Sequence, residues 1–238
     1  MNSQKFYDDF ISYQIKSGIN DRIYSLYKRL CKYGFKKEEH ILEIGCGIGC
    51  LSSLVSKKAK NCVYEATDIS PKSIEFAKAQ PALSDILFQA ADIVEYQAKK
   101  APFDKILLFD VLEHIPEDKH NLLFDKISNW MHSGSVLFIN LPNPSYIDYC
   151  RQNEPESLQV IDQSIWLENL AGNLTSSMLE IDYLETYSIW VENDYQFIVV
   201  KKKKPFTKKM LSEQQTVLEK IKGRLHRELR KFIYKYPS

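Results

Sequence analysis

Between His40 and Leu141, five short apolar segments alternate with stretches of helical periodicity. No other feature restricts the fold as much. The strand-like segments are His40–Gly45, Cys62–Asp68, Ile86–Asp92, Phe103–Asp110 and Ser135–Leu141. Helices are expected at Leu51–Lys58, at Ser73–Gln80 after a Ser-Pro start, and at Asp118–His132 ahead of Gly134. Strands separated in this way by helices build a parallel sheet wrapped by those helices, with right-handed crossovers. Two more strands, around Met178–Trp190 and Tyr195–Lys203, are separated only by the turn-like Glu192-Asn193-Asp194. So short a link predicts an antiparallel pair at one edge of the sheet.

Three segments lie outside that alternation. Gln4 to Lys32 reads as one or two amphipathic helices rich in aromatics. Asn143–Asn173 interrupts the pattern, with a helix near Gln163–Ala171, and Lys208–Tyr236 is a third helical candidate. The 238 residues therefore divide into a helical lid at 1–33, a core domain at 34–205 with an insert at about 143–173, and a C-terminal helix at 206–238.

Composition narrows the class. Hydrophobic residues make up 44% and charged residues 26%, as in a globular protein, and no apolar run is long enough to span a bilayer. The first ten residues carry acids where a signal peptide would carry lysines and an apolar core, so a cytoplasmic location is expected. Five cysteines, with no C-x-x-C pair, point to free thiols rather than a disulfide scaffold or a structural zinc site. Charge is unevenly spread. From Lys201 onward thirteen Lys/Arg face three Asp/Glu, whereas the first 200 residues carry nineteen bases and twenty-eight acids. An acidic body is not the footprint of a nucleic-acid enzyme, whose basic surface surrounds its site.

The stretch Ile41-Leu42-Glu43-Ile44-Gly45-Cys46-Gly47-Ile48-Gly49 runs from an apolar strand into closely spaced glycines. Glycine there lets the backbone turn sharply and lets a ligand lie against main-chain atoms. Asp68 closes the second strand, 23 residues after Gly45, where a carboxylate can accept from both ribose hydroxyls. Asp92 and Asp110 close the third and fourth, with a helix cap as the alternative role for Asp92. A dinucleotide fingerprint would need glycine at position 50, which is Cys50, and the phosphate-binding G-x-x-x-x-G-K-[ST] pattern is absent. A nucleoside without a pyrophosphate fits best.

Taken in order, ILEIGCGIG, ATDIS, the Asp ending the third strand and LLFDVLEHIP resemble the motifs of class I S-adenosylmethionine-dependent methyltransferases, in wording closest to their small-molecule and quinone-type branch. The resemblance covers about Gly34 to Lys203 and implies a doubly wound, seven-stranded, mostly parallel α/β sheet with its last strand antiparallel. It also implies S-adenosyl-L-methionine as cofactor. Carried over, Glu43, Gly45, Cys46, Gly47 and Gly49 would surround the methionine part, and Phe109 and Asp110 would border its amine. Asp68 would hold the ribose with Ile69 against the adenine, and Asp92 with the Ile93 N–H would meet the adenine edge.

For catalysis, a hydroxyl acceptor needs its proton removed, and His114, four residues after Asp110, is the candidate base. His120 and His132 read as surface residues. Asp110, Glu113 and His114 look like the ligand cluster of metal-binding relatives, but the further histidine such relatives carry after strand five is missing, so no metal is expected. Asn143-Pro144-Ser145-Tyr146 is set aside as a base-stacking DNA-methylase motif, because it follows the fifth strand rather than the fourth. Tyr13, Tyr24, Tyr146, Tyr149, Arg151 and Trp166 are the substrate-pocket candidates.

In the tail, Leu211, Leu218, Leu225 and Phe232 recur every seven residues, flanked by Ile221, Leu229 and Tyr236, with Lys and Arg opposite. Packing on the domain or on a second copy in a homodimer is the expectation, with a membrane-surface or RNA contact as the alternatives. The expected activity is methyl transfer to a hydroxyl of a small molecule or glycan precursor. N-methylation of an amino sugar or other small amine is the alternative. Nucleic-acid methylation through the tail and a non-catalytic nucleoside-binding module are the rivals from other classes.

Overall fold

The computed structural model describes residues 3–159, 161–208, 210 and 216–234. The chain separates into two compact units, 1–203 and 204–238. The first begins with two helices, α1 (Ser3–Ser17) and α2 (Asp21–Tyr33), where the sequence left one or two open. The break falls at Gly18, whose φ of +53° suits glycine, and Asn20 restarts the helix by accepting from the Ile23 N–H at 3.0 Å.

There follow β1 (His40–Ile44), α3 (Cys50–Lys58), β2 (Val63–Asp68), α4 (Pro71–Lys78), β3 (Ile86–Ala90), β4 (Phe103–Phe109), α5 (His120–Trp130) and β5 (Met131–Pro142). After these come α6 (Pro144–Asn153), α7 (Leu167–Ser176), β6 (Leu179–Tyr187) and β7 (Tyr195–Lys202). The sheet order is β3-β2-β1-β4-β5-β7-β6, and β7 runs opposite to the other six strands. Strand order reverses between β1 and β4, so their carboxyl ends open side by side, where such sheets bind ligands.

Both faces of the sheet are covered, which is why its strands read as continuous apolar runs. In β4, Ile106 and Leu108 join Leu123, Phe124 and Ile127 of α5 on one face, while Leu107 and Phe109 join Leu26 and Leu30 of α2 on the other. All but Leu26, Leu30 and Phe109 are wholly inaccessible to solvent.

Three expectations change. Helix α5 stops at Trp130 rather than His132, because Met131 already pairs with Phe103. Ser135 holds that junction, accepting from the His132 N–H and donating to the Phe103 carbonyl. The insert contains α6 as well as α7, since Asn143 caps α6 through the Ser145 N–H at 3.1 Å. That places Asn143–Tyr146 in a helix start. His120 is buried, not exposed, and pairs with the Ile115 carbonyl at 2.8 Å.

The second unit contains α8 (Val217–Tyr234). It opens on a capping box: Glu219 accepts from the Thr216 N–H at 2.7 Å, and Thr216 Oγ1 accepts from the Glu219 N–H at 3.3 Å. None of its residues is buried. Leu211 and Tyr236 of the expected stripe lie outside the described residues.

Candidate active site

The cleft at the strand-order reversal encloses about 700 Å³. Its floor is the loop after β1, where Gly45, Gly47 and Gly49 have φ of +77°, +51° and +82°. The N–H groups of Gly45 and Cys46 both donate to the Thr67 carbonyl, which ties this loop to β2. A Cβ on Gly45 would lie 2.1 Å from Val111 Cγ2, so the β4 loop approaches as closely as glycine permits. Glu43, buried beneath, accepts from Ser52 Oγ at 2.5 Å and Tyr64 Oη at 2.6 Å. Burial pushes its pKa up to about 7 despite those bonds.

Asp68 is held by two main-chain donors, Gly47 N–H at 2.8 Å and Ser70 N–H at 2.9 Å, one to each carboxylate oxygen. Each oxygen keeps a lone pair for a further donor. Burial raises its pKa and the two N–H bonds oppose that rise. Asp92 accepts from the Val94 N–H at 2.9 Å, so it closes its turn while its residue lines the cleft. Asp110 sits at φ +55°, which is uncommon for any residue but glycine. Asn140 Nδ2 donates to its carboxylate at 2.7 Å, and the Arg22 guanidinium lies 3.3 Å from the other oxygen.

The N-terminal helices form one wall. Asp8 accepts from Ser70 Oγ at 2.6 Å, and Gln14 accepts from Ser73 Oγ at 3.4 Å, which seats α1 on the start of α4. Tyr7 then meets the His114 ring edge-on at 5.9 Å. Burial, and next the charges of Glu113, Asp162 and Asp68, push the Tyr7 hydroxyl pKa upward, so it remains protonated.

At the far end, His114 Nδ1 lies 2.5 Å from the Ile161 carbonyl and 3.1 Å from Asp162 Oδ1, and its Nε2 lies 3.8 Å from Glu113 Oε1. Burial alone would lower the His114 pKa. The Glu113 charge, the Asp162 hydrogen bond and the Ile161 carbonyl outweigh it and raise the pKa to about 9. His114 is therefore cationic at neutral pH and holds the proton a base would have to receive. Glu113, which is buried, is pushed up to about 7 by that burial. Among the described residues five buried side-chain polar atoms have no hydrogen-bond partner, and the residues of four of them line this cleft: Arg22 Nε, Thr67 Oγ1, Glu113 Oε2 and Gln159 Oε1. Arg22 Nε is within ion-pair reach of Asp110 but not aligned for a hydrogen bond. Buried polar groups are ordinarily paired, so a cleft with this many open positions is shaped to receive polar atoms.

Of the residues expected around the cofactor, Glu43, Gly45, Cys46, Gly47, Asp68, Ile69, Asp92, Ile93, Phe109 and Asp110 all line the cleft. Gly49 does not. Its Cβ position faces Leu83 and Phe88, so it serves the packing of the loop. Tyr13, Tyr146 and His114 line the cleft, whereas Tyr24, Tyr149, Arg151 and Trp166 lie outside its wall. Arg151 instead braces the insert, donating to Asp148 at 2.6 Å and to the Asp162 carbonyl at 2.7 Å. Tyr7, Arg22, Gln159, Asp162 and Tyr195 line the cleft without having been singled out by sequence. No local motif marks them, because each arrives from a distant element.

A doubly wound sheet in this order, with a glycine loop and an acidic strand end at its crevice, defines a Rossmann-like nucleoside-binding fold. Residues 41–134 match the methyltransferase domain family. The (S)-coclaurine N-methyltransferase of Papaver somniferum is 26% identical over 148 residues, which is 60% of this chain and 39% of that protein. Malonyl-[acyl-carrier protein] O-methyltransferase 1 of Ilyobacter polytropus is 28% identical over 162 residues, 68% of this chain and 55% of that protein. The chain thus spans only about half or less of the length of these curated relatives. In fold it resembles magnesium protoporphyrin IX methyltransferase from Synechocystis PCC 6803 with bound SAH, with a TM-score of 0.66, 14% identity, and coverage of 84% of this chain and 100% of that one. Residues 41–134 thus form a methyltransferase domain, and the chain resembles the class I S-adenosylmethionine-dependent methyltransferases. S-adenosylmethionine is the cofactor of this class, and the residues present fit it: Asp68 keeps open lone pairs, Thr67 Oγ1 is unpaired, and both line the cleft beside the glycine loop.

Proposed function

We propose that this chain transfers a methyl group from S-adenosylmethionine to a protic nucleophile of a small molecule, with a hydroxyl, on a small molecule or glycan precursor, as the first candidate. One observation carries the reading: Glu113 is buried at the cleft wall, its Oε2 has no donor, and its pKa lies near 7. A carboxyl in that state can accept a hydrogen bond from the acceptor's O–H and then take its proton, and a pKa near the working pH is what such a group needs. His114, being cationic, serves in this reading to position Glu113 and hold its charge rather than to act as the base.

The cofactor supplies a methyl group already activated on a sulfonium, so the chain's own work is alignment in a dry pocket. In this proposal Asp68 accepts from the ribose hydroxyls, and Asp92 with the Ile93 N–H meets the adenine edge. Glu43, the Gly45–Gly47 loop, Phe109 and Asp110 enclose the methionine end. Tyr7 and Tyr146 face the acceptor.

A second reading, methylation of an amine, is favoured by the carboxylates of Glu113 and Asp162 beside the tyrosine wall, which would hold an ammonium until Glu113 takes its proton and frees the lone pair that attacks the methyl group. The relative that methylates nitrogen belongs with this reading, and the O-methyltransferase with the first. Matched acceptors bearing a hydroxyl, an amine or a carboxylate separate them, with product mass and S-adenosylhomocysteine release as readouts. Turnover of the hydroxyl series, rising with pH through about 7, supports the first reading. Turnover of amines alone selects the second, and turnover of carboxylates alone removes any role for Glu113 as proton acceptor.

A further inference from the structure

Helix α8 has two chemically distinct faces. Leu218, Ile221, Leu225, Leu229 and Phe232 follow one another at intervals of three and four residues, so at 100° per residue they form one stripe. They are 71%, 49%, 64%, 54% and 82% exposed. Lys220, Arg224, Arg227, Arg230 and Lys231 occupy the opposite half of the helix, and only Glu219 and Glu228 carry negative charge. We propose that α8 lies along an anionic lipid surface, with its stripe in the interface and its cations among the head groups.

Charge decides among the possible occupants. A second copy of the helix would bring the same excess of cations against the first, without the acids that pair partner helices in a coiled coil. A nucleic acid would satisfy the cations and leave five apolar side chains in water. An anionic interface satisfies both faces at once, and this combination of a basic face with an aliphatic and aromatic one is what interfacial helices carry. No helix among the described residues is long and apolar enough to cross a membrane, so the contact is peripheral. The first 200 residues are net acidic and would be repelled by the same surface, which leaves the attraction to the basic tail.

The full-length chain should co-sediment with vesicles of phosphatidylcholine mixed with phosphatidylglycerol, not with phosphatidylcholine alone, and binding should weaken as salt is added. Each cation near such a surface changes partition roughly fivefold, so R224E combined with R227E should weaken binding at least about 25-fold. L225S combined with F232S should weaken it about tenfold or more with no change in melting temperature, since both side chains are exposed. Failure to bind the anionic vesicles, or equal binding to neutral ones, would overturn the proposal. Unaltered binding by the L225S/F232S chain would overturn it too, because the cations would then act alone, as on RNA. So would a dimer in light scattering that this variant dissolves, since a second copy would then cover the stripe.

Discussion

The Arg22 guanidinium of α2 stands 3.3 Å from the Asp110 carboxylate at the end of β4, so the N-terminal wall and the central strand share one ion pair. Asp110 also accepts from Asn140, whose own side-chain oxygen accepts from Tyr187 Oη at 2.8 Å. Tyr195 completes the arrangement, its hydroxyl 3.4 Å from Arg22. Burial works against the Arg22 charge, and Asp110, Tyr195 and Glu113 together more than restore it. The left-handed backbone of Asp110 is held in place by this network, which draws on four other elements.

Removing Arg22 leaves Asp110 without its counter-charge. R22A should lower stability by about 1–3 kcal/mol, and D110N should cost less because Asn can still accept from Asn140. In a double-mutant cycle the two changes should couple by about 0.5–3 kcal/mol. Additive effects in chemical denaturation would show that the 3.3 Å approach contributes nothing.

Asp68→Ala should weaken cofactor binding, because it deletes the acceptors proposed for the ribose. Hydrogen bonds to a charged group are worth about 1.5–3 kcal/mol each, so a loss of at least about tenfold is expected in calorimetric titration with S-adenosylhomocysteine. Part of the loss will come from the glycine loop, since the Gly47 and Ser70 N–H groups lose their partner as well. Equal affinity for both chains would remove Asp68 from the cofactor site.

Glu113 and His114 make opposite predictions in pH. E113Q should lower turnover about 10²-fold and abolish the rise in rate through about pH 7. H114A with turnover reduced equally at every pH would indicate lost positioning, whereas a residual rate climbing only near pH 9 in the wild type would restore His114 as the base.

His114 also links stability to pH. Its pKa rises from 6.5 to about 9 in the folded chain, so the folded state binds this proton more tightly than the unfolded one. The resulting stabilisation is complete below about pH 6.5 and is lost as pH climbs through 9. It is on the order of 3 kcal/mol. The melting-temperature difference between wild type and H114Q should therefore shrink across that window. A constant difference would mean that the ring contributes by packing alone.

Gly45→Ala combines a clash with a strained backbone. Its Cβ would meet Val111 Cγ2 at 2.1 Å, at a φ of +77°. A loss of about 1–3 kcal/mol in stability is expected, and adding V111A should recover the steric part but not the backbone part. Full recovery in the double variant, measured by denaturant titration, would show that φ carries no cost there.

The sheet and its glycine loop were legible because their signals are local. A strand covered on both faces must be apolar throughout, as Ile106 to Leu108 are, and a tight turn beneath a ligand must be glycine, as at Gly45 and Gly47. The acids at the ends of β2, β3 and β4 were visible for the same reason, since each lies at or within two residues of its strand's end. The end of α5 was misplaced by two residues because pairing of Met131 with Phe103 overrides a helical pattern that runs on to His132.

The remaining walls of the cleft were decided by tertiary structure alone. Tyr7, Arg22, Asp162 and Tyr195 come from four separate parts of the chain, and nothing in the spacing of a helix or strand announces that they converge. The chemistry of His114 depends on that convergence. As a residue in a motif it reads as a base near neutrality. Set between Glu113, Asp162 and the Ile161 carbonyl, it keeps its proton, because its charge is stabilised by groups up to 48 positions away that only the packing of the insert brings within reach.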